Sequence, residues 1–230
     1  MAVLLAEALR ETIRVQGGRI PLLERHLARL AAGGCDDVTL RAARQEAERT
    51  ASRWREPYGR MSLVVSRDGT PSAEVSGRPS VIDVPGGPTI AFVVVDGIRL
   101  PPGAAKPADR SQWDEAHARA GGADLAVLLS AEGEVLDTSH ATLWVRRGRD
   151  LLTPPSPPAL AGVSRGVVFD IADAHGLRPA EARLTRIDMD AAEELMVSTA
   201  VAGVRPVRGR GGAASDALAE AFERLFAARP

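Results

Sequence analysis

Between Gly77 and Pro88 the chain reads GRPSVIDVPGGP, and neither the twofold alternation of a strand nor the repeat of a helix persists through it. Proline removes a backbone donor and glycine loosens the backbone, so a regular element does not cross such a stretch. A chain of 230 residues broken there divides in two. The expected division is a small portion, residues 1–83, and a larger one, residues 84–230, with 45% apolar residues to supply their cores.

In the first portion Leu9–Gln16 (LRETIRVQ) partly alternates and stops at Gly17-Gly18, which predicts a strand and a tight turn. From Pro21 the pattern changes. Leu22, Leu23, His26, Leu27 and Leu30 recur at helical spacing until Gly33-Gly34, with Arg25 and Arg29 sharing a face. A second helix is expected over Thr39–Trp54, followed by strands Arg60–Arg67 and Ser72–Gly77 around the turn Asp68-Gly69.

In the second portion the predicted strands are Thr89–Val95, Asp124–Ser130, Val135–Asp137, Ala141–Arg147, Leu195–Thr199 and Gly203–Val207. Helices are predicted over Asp109–Ala120, from Gly162 to about His175 with Ser164 as N-cap, over Ile187–Glu194 and over Ser215–Ala228. Thr153–Pro158 (TPPSPP) is expected to be an extended loop. The whole reads as α+β with mostly hairpin-connected strands.

The net charge of −1 is spread in both signs, which argues against a nucleic-acid surface. No apolar run approaches membrane-spanning length and the first ten residues lack a signal-peptide pattern, so a cytoplasmic protein without membrane attachment is expected. The single Cys35 and the four histidines show no metal-ligand spacing, so no metal is expected. With 3% aromatic residues, small polar ligands fit better than stacked bases or sugars.

Of 29 basic residues only Lys106 is a lysine. Lysine does what arginine does not: a desolvated amine sheds its proton and attacks a carbonyl. A lysine holding an aldehyde cofactor such as pyridoxal 5′-phosphate (PLP) needs a carboxylate for the pyridine nitrogen, and donors for the phosphate from an arginine, hydroxyls or a helix start. The sequence offers Asp137, Arg29, Val163 and Ser164 after Gly162, and Ser198-Thr199. Taken singly each has a plainer reading: Asp137-Thr-Ser as a turn or cap, Arg29 as a solvated helix residue, Gly162-Val-Ser164 as an N-cap, Ser198-Thr199 as strand residues.

In combination, and in this order, the segments resemble the class IV aminotransferase family, the fold type IV PLP enzymes. Glu11-Thr-Ile-Arg-Val15 with Leu23-Glu-Arg-His-Leu-Ala-Arg-Leu30 resembles the entry strand and the H-x-x-R-L helix. Lys106-Pro-Ala-Asp-Arg110 resembles K-x-x-N-R, and Gly122-Ala-Asp124 through Val135 resembles G-A-D-E-A-L-x-L-D-x-x-G-x-V. Asp137-Thr-Ser-His-Ala-Thr-Leu-Trp144 stands in place of E-G-S-S-S-N-I-F, Leu152-Thr-Pro-Pro155 resembles L-x-T-P-P, Ala161-Gly-Val-Ser-Arg165 resembles P-G-I-T-R, and Val197-Ser-Thr-Ala200 with Val204-Arg-Pro-Val207 resembles the closing strand and turn.

The resemblance implies a two-domain fold like that of D-amino acid aminotransferase: a small N-terminal α/β sandwich and a larger β-barrel-like domain with helices. It implies PLP on Lys106 as a Schiff base, with Arg29, Val163, Ser164, Ser198 and Thr199 at the phosphate and Asp137 where the family has glutamate, one methylene shorter. The chain begins within what the family has as its second strand, and the trimmed first domain is expected to open the site or change the substrate wall. A homodimer and a small-molecule amine substrate are further implications. Among the branches, the wording resembles 4-amino-4-deoxychorismate lyase, which releases pyruvate and 4-aminobenzoate for folate synthesis. A branched-chain or D-amino acid aminotransferase and a fold that has lost catalysis are the alternatives.

Overall fold

In the computed structural model, which describes residues 4–227, strand β1 (Leu9–Gln16) buries every second side chain. Leu9, Ile13 and Val15 sit on the core face with Glu11 among them, while Arg10, Thr12, Arg14 and Gln16 face the other way. Gly17 and Gly18 follow with φ of 54° and 76°, a left-handed pair that turns the chain. Helix α1 (Leu23–Ala32) lays Leu23, His26, Leu27 and Leu30 on the core, and α2 (Asp37–Ser52) adds the alanine stripe Ala43, Ala47 and Ala51. Asp36 caps α2 by accepting from Thr39 N at 2.8 Å. β2 (Tyr58–Val65) and β3 (Pro71–Ser76) complete an antiparallel sheet in the order β1-β2-β3, with Thr12 opposite Ser62 and Ser62 opposite Glu74.

These elements form one compact unit, which runs to Pro79 and also takes in Leu100–Asp109 and the end of the chain from Leu225. The chain thus crosses to the second unit close to the expected break, and then returns. The return has a hydrogen-bonding cause: β1 is an edge strand, and Lys106–Ala108 covers its open edge. Arg10 N donates to Lys106 O at 2.9 Å, and Ala108 N to Ala8 O at 2.8 Å.

The second unit comprises Ser80–Arg99 and Arg110–Arg224. β4 (Ile90–Val94) runs parallel to β5 (Leu125–Leu129) across helix α3 (Ser111–Ala118), and β5 pairs with β6 (Val135–Thr138). β5 is buried at every position, as its unbroken apolar run requires. A five-stranded sheet in the order β11-β10-β7-β8-β9 combines β7 (Thr142–Arg147), β8 (Asp150–Thr153), β9 (Arg178–Glu181), β10 (Glu194–Thr199) and β11 (Gly203–Pro206). Helix α4 (Val163–Ile171) links the parallel pair β8 and β9; α5 (Arg186–Asp190) carries a capping box at Thr185, and α6 (Ala213–Ala227) ends the described chain.

The α+β expectation matches this architecture, with three corrections. β8 and β9 were not foreseen. β8 is four residues wedged between a glycine turn and the proline loop, and β9 (RPAE) holds Pro179, which an edge strand tolerates. Two pairings are parallel rather than hairpins. Ser164 is not the N-cap of α4: Gly162 holds that position and Ser164 lies inside the first turn, which leaves the helix start without a side-chain cap.

Candidate functional site

Lys106 is half-buried beside β1, and its Nζ donates to Thr12 Oγ1 at 3.0 Å. The backbone bonds on either side of it fix where the side chain leaves the chain, while the flexible stem sets where the amine goes. A residue in this setting, on an anchored segment with an amine donating to a hydroxyl, can give up that hydrogen bond and attack a carbonyl carbon.

On the opposite face of β1, Glu11 is 1% exposed and takes Arg29 in a two-pronged grip, Nε to Oε1 at 2.8 Å and Nη2 to Oε2 at 2.5 Å. His26 Nδ1 lies 2.6 Å from Oε2. Burial alone raises the Glu11 carboxyl, but the charge of Arg29 and the bonds from His26 and Arg29 outweigh it and bring it down to about 2. His26 moves below its ordinary value because it is buried, with the nearby positive charges of Arg29 and Lys106 adding to that and Glu11 opposing it. A neutral His26 therefore keeps its proton on Nδ1, facing the carboxylate. Arg29, the expected phosphate arginine, is held to Glu11 by its Nε–Nη2 edge.

In the second unit Asp137 lies on β6, 5% exposed. Its Oδ1 accepts from Thr138 N at 2.8 Å, and Oδ2 from Leu160 N at 3.3 Å and the buried Trp113 indole at 3.4 Å. Burial pushes its carboxyl up to about 7, against the pull of these three donors and of Arg110. Near neutral pH this acid is poised between holding and releasing a proton.

Ser164 and Ser198 meet at the start of α4. The Trp144 indole donates to Ser198 Oγ at 3.0 Å, and Ser198 Oγ donates to Ser164 Oγ at 3.1 Å. An indole can only donate, so Ser198 Oγ accepts from it and is held beside Ser164 at the helix start. Val163 and Ser164 also contribute the first backbone N–H groups of a helix with no side-chain cap. A Cβ at Gly162 would lie 2.7 Å from Thr142 Oγ1, so a side chain there would force a shift. Uncapped amides, the Ser164 and Ser198 hydroxyls and the helix dipole suit an anion. Thr199 is engaged differently: its hydroxyl accepts from Ala202 N at 3.0 Å and lies 3.5 Å from Ser80 Oγ, closing the turn after β10.

Residues 109–209 match the family model described as amino-transferase class IV. The match covers somewhat under half of the chain, and over it the chain is similar to the class IV aminotransferases. A branched-chain-amino-acid aminotransferase of Pseudomonas aeruginosa is 29% identical over 118 residues, which are 47% of this chain and 38% of that protein, so the matched part spans well under half of the relative's length. Among solved structures, a hypothetical aminotransferase from Mycobacterium tuberculosis in its PLP-bound form superposes with a TM-score of 0.80 at 23% identity, covering 95% of this chain and 88% of that one. A putative 4-amino-4-deoxychorismate lyase gives 0.76 at 24% identity, over 94% and 89%. At these identities the two structures establish the fold, fold type IV.

Within the first unit the structure places Lys106 and Arg29 on opposite faces of β1; within the second it brings Ser164 to Ser198 and sets Val163 at the helix start, with Asp137 on β6 and Thr199 in a turn. Sequence reasoning missed Glu11, Thr12, Trp113 and Trp144. Glu11 had a signal: it is the one charged residue at a core-facing position of an alternating strand, and such a charge requires a partner. The indoles had none, because a tryptophan in an apolar stretch reads as core whether or not its N–H has a task.

Proposed function

We propose that this chain is a PLP-dependent enzyme acting on a small-molecule amine, and that its reaction is the cleavage of 4-amino-4-deoxychorismate to 4-aminobenzoate and pyruvate. The polar groups fit the cofactor by chemistry. The uncapped start of α4 with the Ser164 hydroxyl suits the phosphate, Asp137 suits the pyridine nitrogen, and the Lys106 amine suits the aldehyde. Bound PLP supplies the electron sink into which a broken bond at the substrate carbon drains. Lys106 would hold the cofactor, and its free amine would take and return protons. Thr12 is placed to position that amine, to which it is bonded at 3.0 Å.

The observation that carries the lyase reading is Asp137. Its oxygens already accept from Thr138 N, Leu160 N and the Trp113 indole, which leaves less of the carboxylate to hold a ring nitrogen protonated, so the sink is moderate. Loss of pyruvate from a substrate that becomes aromatic tolerates a moderate sink, whereas moving a proton fully between two carbons, as amino transfer requires, demands more. The second reading, an aminotransferase for branched-chain or D-amino acids, is favoured by the named activity of the Pseudomonas relative. Incubation with 4-amino-4-deoxychorismate and no amino acceptor separates them. Stoichiometric pyruvate supports the lyase; no pyruvate, together with amino transfer from leucine to 2-oxoglutarate, overturns it.

A further inference from the structure

Arg110 opens helix α3, and Trp113, Asp114 and His117 follow it three, four and seven residues further on, so the four share one face. That face meets a single segment, residues 137–140, at every position. Arg110 Nη2 donates to Ser139 O, the Trp113 indole donates to Asp137 Oδ2 at 3.4 Å, and His117 Nδ1 lies 3.3 Å from Ser139 Oγ. Asp114 Oδ1 lies 3.9 Å from His140 Nε2, and the His117 and His140 rings meet edge to face with 5.0 Å between their centres. Strand β5 holds the same segment: Ser139 Oγ accepts from Ala126 N at 3.1 Å, and Ser139 N donates to Ala126 O at 2.9 Å.

Within this contact Trp113 has a separate task. Its ring is 0% exposed, and a phenylalanine would fill such a site without needing an acceptor. The Arg110 guanidinium lies over that ring, 5.1 Å from its centre. Among the described residues, two of the donors to the Asp137 carboxyl, Thr138 N and Leu160 N, belong to the backbone; the indole is the one that a side chain supplies. The pairing does not exist for the indole's sake, because burying a carboxyl costs more than leaving one indole N–H unmet, and a backbone carbonyl would have satisfied the indole. The bond serves the acid. With three of its roughly four acceptor sites taken, the carboxylate keeps one, and the indole fixes where that one points.

We propose that Trp113 is a positioning residue for Asp137: it aims the carboxyl at a pyridine nitrogen, and the rest of the α3 face holds residues 137–140 around it. The proposal rests on the reading of Asp137 as the partner of that nitrogen, and it gives Trp113 no contact with cofactor or substrate. An indole donor favours the ionised carboxyl, as does the positive charge of Arg110, the charged group that bears on Asp137. Asp114, His117 and His140 meet the segment beyond it, at residues 139–140.

The test uses Trp113→Phe, which keeps a ring and removes the donor. In carbon-13 NMR of the apoprotein's aspartate carboxyls, with Asp137 assigned by its absence from Asp137→Asn, Asp137 should titrate about half a pH unit higher in Trp113→Phe than in wild type. In equilibrium dialysis the same change should weaken PLP about fivefold and 1-deazapyridoxal 5′-phosphate, whose ring has carbon in place of that nitrogen, less than twofold. An unmoved Asp137 titration, PLP bound as well as by wild type, or equal losses for the two cofactors overturns the proposal. Wild type that binds both cofactors equally overturns the reading of Asp137 itself, and the proposal with it, whatever the carboxyl titration shows. Should Trp113→Phe not fold, wild type decides: one of the three tryptophan indole N–H signals must titrate together with the Asp137 carboxyl and cease to do so in Asp137→Asn, and three signals that stay put overturn the proposal.

Discussion

Replacing Asp137 with asparagine should make the apoprotein's stability less dependent on pH. The carboxyl is held at about 7 in the fold against an ordinary 3.8, so the folded state binds a proton that the unfolded state has already lost between those values. Stability therefore falls as pH rises from about 4 to 7, by a ceiling of about 4 kcal/mol once the acid is fully ionised. Asparagine removes that slope. It also has a single acceptor oxygen for the Thr138, Leu160 and Trp113 donors, which adds a penalty of about 1–2 kcal/mol that does not vary with pH. Urea unfolding at pH 5 and pH 8 separates the two effects. The difference, variant minus wild type, should rise by about 2–3 kcal/mol in favour of asparagine between the two pH values. A difference that stays constant means that Asp137 is ionised in the fold near pH 5, and the account of a poised acid is then wrong.

Glu11→Gln should lose about 3 kcal/mol of stability above pH 5 and progressively less toward pH 2, because the Glu11 carboxylate, held at about 2 against 4.5, stabilises above its unfolded value and stops doing so as pH falls through the folded one; a loss of the same size at pH 2.5 and pH 7 would contradict this. Ser164→Ala and Ser198→Ala should each weaken PLP by about tenfold while leaving pyridoxal, which lacks the phosphate, within twofold, measured by fluorescence quenching. Trp144→Phe should act like Ser198→Ala in the same titration, since it removes the donor that holds the Ser198 hydroxyl in place.

Elements with strong periodicity were legible in the sequence. β1 matched its expected span from Leu9 to Gln16, because alternation, a glycine stop and a buried face all agreed. β8 and β9 escaped because a four-residue strand takes its identity from its neighbours in the sheet, not from its own pattern. The lysine stood out by composition, yet its placement beside β1 depends on backbone bonds to Ala8 and Arg10, almost a hundred residues earlier, which no local signal announces. Ser164 was foreseen as a cap and is instead a first-turn hydroxyl, a difference of two residues that leaves the helix-start amides without a side-chain acceptor. Its neighbour Ser198 is held by Trp144, and only the fold brings Trp144 to Ser198.

The central claim is that Lys106 anchors PLP. Borohydride reduction of protein mixed with PLP, followed by peptide mass mapping, tests it directly, since no other lysine exists in the chain. The account predicts one cofactor-sized addition on the peptide containing Lys106, and none in a folded Lys106→Ala variant. A reduced adduct that survives in Lys106→Ala, or its absence from wild type, contradicts the account.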